Sequence, residues 1–186
     1  MTNGLVVMTP SSIAYSGTSA SINADGSVTF SACSSLSLNG VFTGDYDNYM
    51  MTLSCVNTGG LSSIFFRWRA SGTDESSASN YYTRQELFAS GTLVAGGRNS
   101  DSRGRFGEAG DITYGRAGMT CYIFGPYLSQ PTATRAVDSS TYNSSNPLFM
   151  INYATTHSLS ALYDGITITP SQFALTGLLT VFGFNQ

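Results

Sequence analysis

Apolar and polar residues alternate with a period of two along most of the chain. In SIFFRWRAS (63–71), Ile64, Phe66 and Trp68 fall on one side and Phe65, Arg67 and Arg69 on the other. Side chains of a strand point alternately to its two faces, so this run predicts a strand with one face on a core. Comparable runs are GLVVM (4–8), SVTFSA (27–32), YMMTLSC (49–55), NYYTRQELF (80–88), MTCYIFG (119–125), LFMINYA (148–154), GITIT (165–169) and GLLTVFGF (177–184). Turn dipeptides separate them: Asp25-Gly26, Asn39-Gly40, Gly59-Gly60, Ser71-Gly72, Gly96-Gly97 and Asp164-Gly165. No window of a dozen residues has a convincing helical period, and only 171–176, after Pro170, has some helical character.

Two segments break the alternation. Residues 89–118 are Gly-rich and carry Arg98, Arg103, Arg105 and Arg116. They read as a long Gly/Arg-rich loop between strands, either functional or simply solvated. Residues 129–147 read as a second polar loop. Many short strands with Gly-rich turns predict an all-β chain, an antiparallel β-sandwich of jelly-roll type, in one domain over 1–186. Sheet edges must be guarded against further pairing. With few charges to guard them, subunit contacts are the expected solution, so an oligomer is expected.

Composition sharpens the picture. Charged residues are 10 % of the 186, against roughly 25 % in an ordinary soluble domain. Aromatics are 12 % and well spread, so low charge here means a surface of hydroxyls and amides. The formal net charge is −3, which argues against a nucleic-acid partner. All eight cations are Arg, which removes Schiff-base chemistry and a P-loop nucleotide site. No stretch approaches the roughly 18 apolar residues of a membrane helix, and MTNGLVVMTP has no basic n-region. No membrane insertion is expected, and synthesis in a cytoplasm is.

Candidate chemistry is sparse. Cys33, Cys55 and Cys121 have no CxxC spacing and lie in strand-like stretches, which predicts buried free thiols. The single histidine, His157, sits between Thr and Ser and reads as a polar surface or hydrogen-bonded residue. No GxSxG elbow surrounds any serine. The acid pairs Asp45/Asp47 and Asp74/Glu75 lie beside turn residues, whereas hydrolytic carboxylates usually come from different strands. LNGVFTGDYDNYMMTLSC (38–55) reads as a turn shaped by Asp45 and Asn48, leading into a strand. A calcium loop there would want more oxygen ligands than Asp45 and Asp47. No enzyme, cofactor or metal is expected.

Three stretches carry a resemblance. They are LNGVFTGDYDNYMM (38–51), FFRWRASGTDESSASNYY (65–82) and LYDGITITPS…LLTVFGFNQ, which closes the chain. In order and spacing they resemble a β-rich module of tailed-bacteriophage virion proteins. In that module a Leu-Asn-Gly-Val-Phe turn leads to a Tyr-Asp-Asn-Tyr strand, here Leu38 to Tyr49. An Arg-x-Arg-x-Ser-Gly-Thr-Asp segment follows, here Arg67 to Asp74. The chain then ends in a Tyr-Gly-Tyr-like strand, here Val181-Phe182-Gly183-Phe184 with both tyrosines replaced by Phe. The likeness runs from Gly4 to Gln186 and brings no catalytic residues with it. Such modules commonly cap longer tail proteins; standing alone from Met1 fits a separately assembled accessory protein.

The resemblance implies a virion protein of tail-fibre or minor structural type. The expected partners are copies of itself, as a homotrimer, other phage virion proteins, and a host surface glycan or protein. Sugar recognition uses an aromatic ring face and a few directed hydrogen bonds. Tyr81, Tyr82, Arg84, Tyr114 and Tyr142 are the candidate receptor contacts, and strand packing or subunit contact is the alternative for each. Arg67, Arg69, Arg103 and Arg105 are the candidate interface residues. The alternative role is a capsid decoration, cement or collar protein with no ligand of its own.

Overall fold

The computed structural model describes residues 4–89, 92–110, 112–113, 115–141 and 149–185. Among these the regular structure is all strand. In chain order the strands are β1 (Val6–Val7), β2 (Ser12–Ser16), β3 (Ser19–Ile22), β4 (Val28–Cys33), β5 (Ser35–Asn39), β6 (Asn48–Asn57), β7 (Ser62–Ala70) and β8 (Thr73–Asp74). They continue as β9 (Tyr81–Ala89), β10 (Thr92–Asp101), β11 (Gly104–Ala109), β12 (Ala117–Phe124), β13 (Gln130–Ser140), β14 (Phe149–Ala161), β15 (Gly165–Pro170) and β16 (Leu175–Phe184).

Two antiparallel sheets pack as a sandwich. The larger has 10 strands in the order β10-β9-β14-β13-β12-β6-β16-β4-β3, with β1 paired to the end of β16. The smaller has 6 strands in the order β11-β7-β15-β5-β2, with β8 paired to β7. Alternation sets the core. Tyr49, Met51, Leu53 and Cys55 of β6 face inward, as do Met119, Cys121 and Ile123 of β12. Ile64, Phe66 and Trp68 of β7, with Ile166 and Ile168 of β15, meet them from the smaller sheet. Phe66 is the centre: its ring lies edge-on to Trp68 (4.9 Å), Tyr81 (5.9 Å) and Phe106 (6.0 Å). Such edge-to-face pairs add to the burial of the rings themselves.

Turn chemistry follows the residues at the corners. Gly26 has φ +85°, and the Asp25 carboxylate beside it accepts hydrogen bonds from Ser27 N (3.0 Å) and Ser27 Oγ (2.6 Å). Glycine takes that left-handed conformation without a Cβ clash. In the 38–55 stretch, Thr43 Oγ1 donates to Asp45 Oδ2 (3.1 Å) and accepts from Asp45 N (3.3 Å). The Tyr49 hydroxyl donates to Thr43 O (2.7 Å) and accepts from Thr43 N (2.8 Å). The stretch is therefore a turn pinned to the strand that follows it.

Three expectations need correction. The segment 89–118 is not one long loop: it contains β10, on the edge of the larger sheet, and β11, on the edge of the smaller. The chain thus crosses between sheets at a corner near Ser102. Residues 130–140 of the expected second loop form β13. Residues 171–173 form a bend rather than a helix, and β16 starts at Leu175.

Arg69 is tied within its own chain. Its guanidinium pairs with Asp74 and Gly72 O across the β7–β8 hairpin, and donates to Asn39 Oδ1 (2.9 Å), Ser37 Oγ (3.2 Å) and Thr167 Oγ1 (2.8 Å). Thr167 Oγ1 in turn donates to Asp74 Oδ1 (2.6 Å). This network clamps β5, β7, β8 and β15 on the outer side of the smaller sheet. His157 is not a surface residue but 1 % exposed, its ring edge-on to Tyr81 (4.5 Å) and Tyr163 (5.3 Å). Its Nδ1 lies 3.3 Å from the Tyr163 hydroxyl. Burial lowers its pKa below the ordinary 6.5, with Glu75 pulling weakly the other way.

Two predictions follow from these side chains. Arg69→Ala strands Asp74 and Thr167 and should lower the unfolding free energy by about 3 kcal/mol in denaturant titration. Because the partners of Arg69 described here are in the same chain, the mass of the native assembly should not change. For His157, the unfolded chain binds a proton at higher pH than the folded chain does. Stability is then fully present above the unfolded pKa and is lost as pH falls towards the folded one. The melting temperature should drop from about pH 7 to about pH 5.5, and His157→Gln should flatten that slope.

Candidate functional site

The side chains of β9, β14 and β13 that point away from the core form two neighbouring rows. In one, Ala95, Glu86 and Asn152 stand side by side on β10, β9 and β14. In the other, Gly97, Arg84, Ala154 and Arg135 stand side by side on β10, β9, β14 and β13. Apart from Gly97, these residues line a surface depression of about 430 Å³ that also includes Gln85, Gly96 and Tyr153. Small residues make its floor, and longer polar ones make its walls. A Cβ at Gly97 would lie 2.9 Å from both Cδ and Nη1 of Arg84, so the glycine gives that side chain its room.

The wall side chains differ in how they are held from within the protein. Arg84 Nη1 donates to its neighbour's carbonyl, Thr83 O (3.1 Å). Glu86, Arg135 and Asn152 are exposed, and none of them forms a hydrogen bond or ion pair with another described residue. Two guanidiniums against one carboxylate leave the depression locally cationic on a chain of net charge −3.

A polar layer beneath the floor holds these strands in place. Arg105 of β11 pairs with Glu108 and donates to Gln85 Oε1 (3.1 Å), and its guanidinium lies 5.6 Å from the Tyr153 ring. The Tyr153 hydroxyl donates to Glu108 Oε1 (3.2 Å), and Thr83 and Thr155 hydroxyls are 2.9 Å apart. Asp138 Oδ2 accepts from Glu108 N (2.7 Å). Burial raises the Asp138 carboxyl well above the carboxylate range, with Arg105 opposing it. The inner face of β9, β14 and β13 is thus a connected polar network, which rigidifies the strands that carry the depression.

One row further along, the outer face turns apolar. Leu93, Phe88 and Met150 are 64 %, 51 % and 53 % exposed and stand side by side on β10, β9 and β14. Exposed apolar side chains grouped in this way mark contact surfaces rather than ordinary solvent-facing strand.

The expected receptor residues separate. Arg84 lines the depression, and Tyr82 is exposed on the same face of β9, paired across from Thr156. Tyr81 is corrected to a core residue: it is fully buried, its hydroxyl accepts from Trp68 N (3.0 Å) and donates to Glu75 O (3.0 Å). Tyr114 and Tyr142 lie outside the described residues. Glu86, Arg135 and Asn152 were missed as site residues. Glu86 shares the outward set of β9 with Tyr82 and Arg84, so the alternation of NYYTRQELF carried that signal. Arg135 fell in a stretch read as a loop.

The expected interface arginines all have intramolecular work. Arg67 Nε donates to Ser102 O (3.1 Å), and the Arg103 guanidinium covers the Phe65 ring at 3.7 Å. Arg98 lies over the same ring at 5.5 Å. These contacts fasten the β10–β11 corner to the outer side of β7. Arg105 belongs to the buried layer and Arg69 to the clamp described above. Asp74 and Glu75 have separate partners. Asp74 belongs to Arg69, and Glu75 accepts from Ser77 N (2.7 Å). Cys33, Cys55 and Cys121 are free and buried, and burial pushes the Cys55 and Cys121 thiols up to about 12.

No protein-family model matches the chain, and no curated protein matches it. Solved structures give faint likenesses. One is from work on endo-acting O-glycanases that members of the human gut microbiota express to initiate mucin breakdown (TM-score 0.25, 10 % identity over 82 % of this chain). The chain spans 61 % of that structure's length. A second is the CBM2 module of an evolved Dit of Lactobacillus casei BL23 phage J-1 (TM-score 0.22, 12 % identity, 98 % of this chain and 97 % of that one). A third is a Lotus tetragonolobus seed lectin (TM-score 0.24, 7 % identity, 87 % of this chain and 94 % of that one). At these TM-scores none of them bears on the assignment.

Proposed function

We propose that this chain is a non-enzymatic structural module of a tailed-phage virion, associated with the tail at its fibre or tip, and that it contacts the host surface. The contact face is the outer side of β9, β13 and β14. The observation that carries this reading is the depression between Arg84, Glu86, Arg135 and Asn152. Of these, Glu86, Arg135 and Asn152 present donors and acceptors that lack partners among the described residues, above a floor of small residues and a rigid polar layer. A concave site with a few directed polar groups on rigid strands is what recognition of a polyhydroxylated ligand requires. The resemblance of the 38–51, 65–82 and 162–186 stretches to phage virion modules supports the same role. The native particle would carry the chain as a homo-oligomer, a homotrimer in the tail-fibre case.

The second reading is a capsid decoration or collar protein. The apolar row Leu93–Phe88–Met150 favours it, because such a row suits burial against a neighbouring subunit. The two readings place the protein differently. Gold-tagged antibody on intact particles should label the tail or its fibres; label spread over the capsid would favour the decoration role.

The host-contact role makes its own prediction. Glu86→Ala combined with Asn152→Ala changes only exposed side chains, so the melting temperature should barely move. Adsorption of the purified protein to host cells should fall by about tenfold or more, as loss of charge-assisted hydrogen bonds does. Unaltered adsorption would remove the depression from the contact face.

A further inference from the structure

β10 ends the larger sheet, and among the described residues no strand pairs with its other side. We propose that this free edge pairs, antiparallel, with the β10 of a second copy of the chain. Edges are ordinarily kept from pairing by shortness, charge or proline. The sheet-ending strands β3 and β2 have 4 and 5 residues. β11 has 6 and carries Arg105 and Glu108. β10 has 10, and from Thr92 to Gly97 it holds neither charge nor proline. Leu93 on its outer face and Val94 on its inner face are 64 % and 50 % exposed, so both sides of this edge are apolar and uncovered.

Register identifies the backbone groups left open. Ser158 N donates to Asn80 O (3.0 Å), one step beyond the His157–Tyr81 pair. Alternate residues of an antiparallel strand bond to opposite neighbours, so Tyr82, Arg84, Glu86 and Phe88 bond β14, and Thr83, Gln85, Leu87 and Ala89 bond β10. Their partners on β10 are Arg98, Gly96, Val94 and Thr92. Leu93, Ala95 and Gly97 therefore turn N–H and C=O to the free edge. A two-fold axis at Ala95 sets Ala95 opposite Ala95 and Leu93 opposite Gly97 of the second copy, and each such pair exchanges both of its backbone hydrogen bonds. The same axis sets Val94 opposite Gly96, so each large apolar side chain meets a glycine. The Arg84 stem lies over Gly97 and Gln85 lies over Gly96, with atoms 2.9 Å and 3.2 Å from where a Cβ would stand. Leu93 and Val94 of the second copy pack on those stems.

The pairing has a consequence for the binding role proposed above, although it does not rest on that role. Ala95 lines the depression, so the joined sheet carries both depressions side by side on one face. The Glu86 backbones of the two copies come about 15 Å apart across the axis. Two linked sites hold a repetitive surface more tightly than one site does.

The test is sedimentation velocity of the full chain over about a hundredfold range of concentration. The unaltered chain should show a concentration-dependent dimer. Ala95→Lys and Ala95→Glu each set like charges face to face at the axis, so each alone should associate about tenfold or more weakly. An equal mixture of the two sets Lys against Glu and should restore the dimer. Leu178→Lys changes an exposed position on β16, away from this edge, and should leave the dimer intact. Ala95 is exposed, so the melting temperature of dilute samples should barely move and shows that each variant folds. An unaltered chain that stays monomeric throughout, Ala95 variants that associate as the unaltered chain does, or a mixture that stays monomeric would each overturn the pairing. A trimer that Ala95→Lys leaves intact would also overturn it, and would leave the tail-fibre reading in place. The predicted dimer without adsorption to host cells would keep the pairing and remove the host-contact role.

Discussion

A ten-stranded sheet has more inner face than a six-stranded sheet can cover, and the rest of this structure depends on how the difference is filled. Over β4, β6, β12 and β16 the covering is aromatic and aliphatic, centred on Phe66 and Trp68. Over β9, β13 and β14 it is β11. That strand brings Arg105, Phe106 and Glu108 against inward-facing Thr83, Gln85, Tyr153, Thr155 and Asp138. The register of β11 slips between Arg105 and Gly107. Such an irregularity re-aims side chains locally, and here it lies where a polar strand must serve both a hydrophobic neighbour, Phe66, and a polar one, Tyr153.

This division explains which parts of the fold were legible in the sequence. Strands whose inward positions are Ile, Phe, Leu and Met declare themselves by alternation, and β6, β7, β12, β15 and β16 were all visible. β13 alternates just as regularly, but its inward residues are Thr132, Thr134, Ala136, Asp138 and Ser140, so its pattern is polar on both faces. β10 and β11 were hidden by glycine for the same reason. Glycine marks a loop in a typical sequence, whereas here Gly97, Gly104 and Gly107 sit in strands where a neighbouring side chain occupies the space of a Cβ. Of the two readings of His157, surface or hydrogen-bonded, the second holds: its ring is buried between Tyr81 and Tyr163, with Nδ1 3.3 Å from the Tyr163 hydroxyl.

The site was legible only in part, for a geometric reason. Tyr81 and Tyr82 are adjacent, so one must face in and the other out, and nothing local says which. The core resolves it, because Tyr81 completes the aromatic cluster around Phe66 and its hydroxyl bridges β7 to Glu75. That choice puts Tyr82, Arg84 and Glu86 on the outer face together. Arg135 and Asn152 join them only through the order β9-β14-β13, which brings residues 84, 135 and 154 into one row despite their separation in the chain. The expected interface arginines were found inside the chain: Arg67, Arg69 and Arg103 cover the outer side of the smaller sheet, and Arg105 fills the polar layer between the sheets.

The central claim is that the outer face of β9, β13 and β14 is where this protein meets its target. Hydrogen exchange read by mass spectrometry, with and without host cell-envelope fragments, tests it most directly. The account predicts slowed exchange in peptides covering 84–86, 135 and 152–154, with the rest of the larger sheet unchanged. Protection confined to the smaller sheet, around β2, β5 and β15, would contradict it.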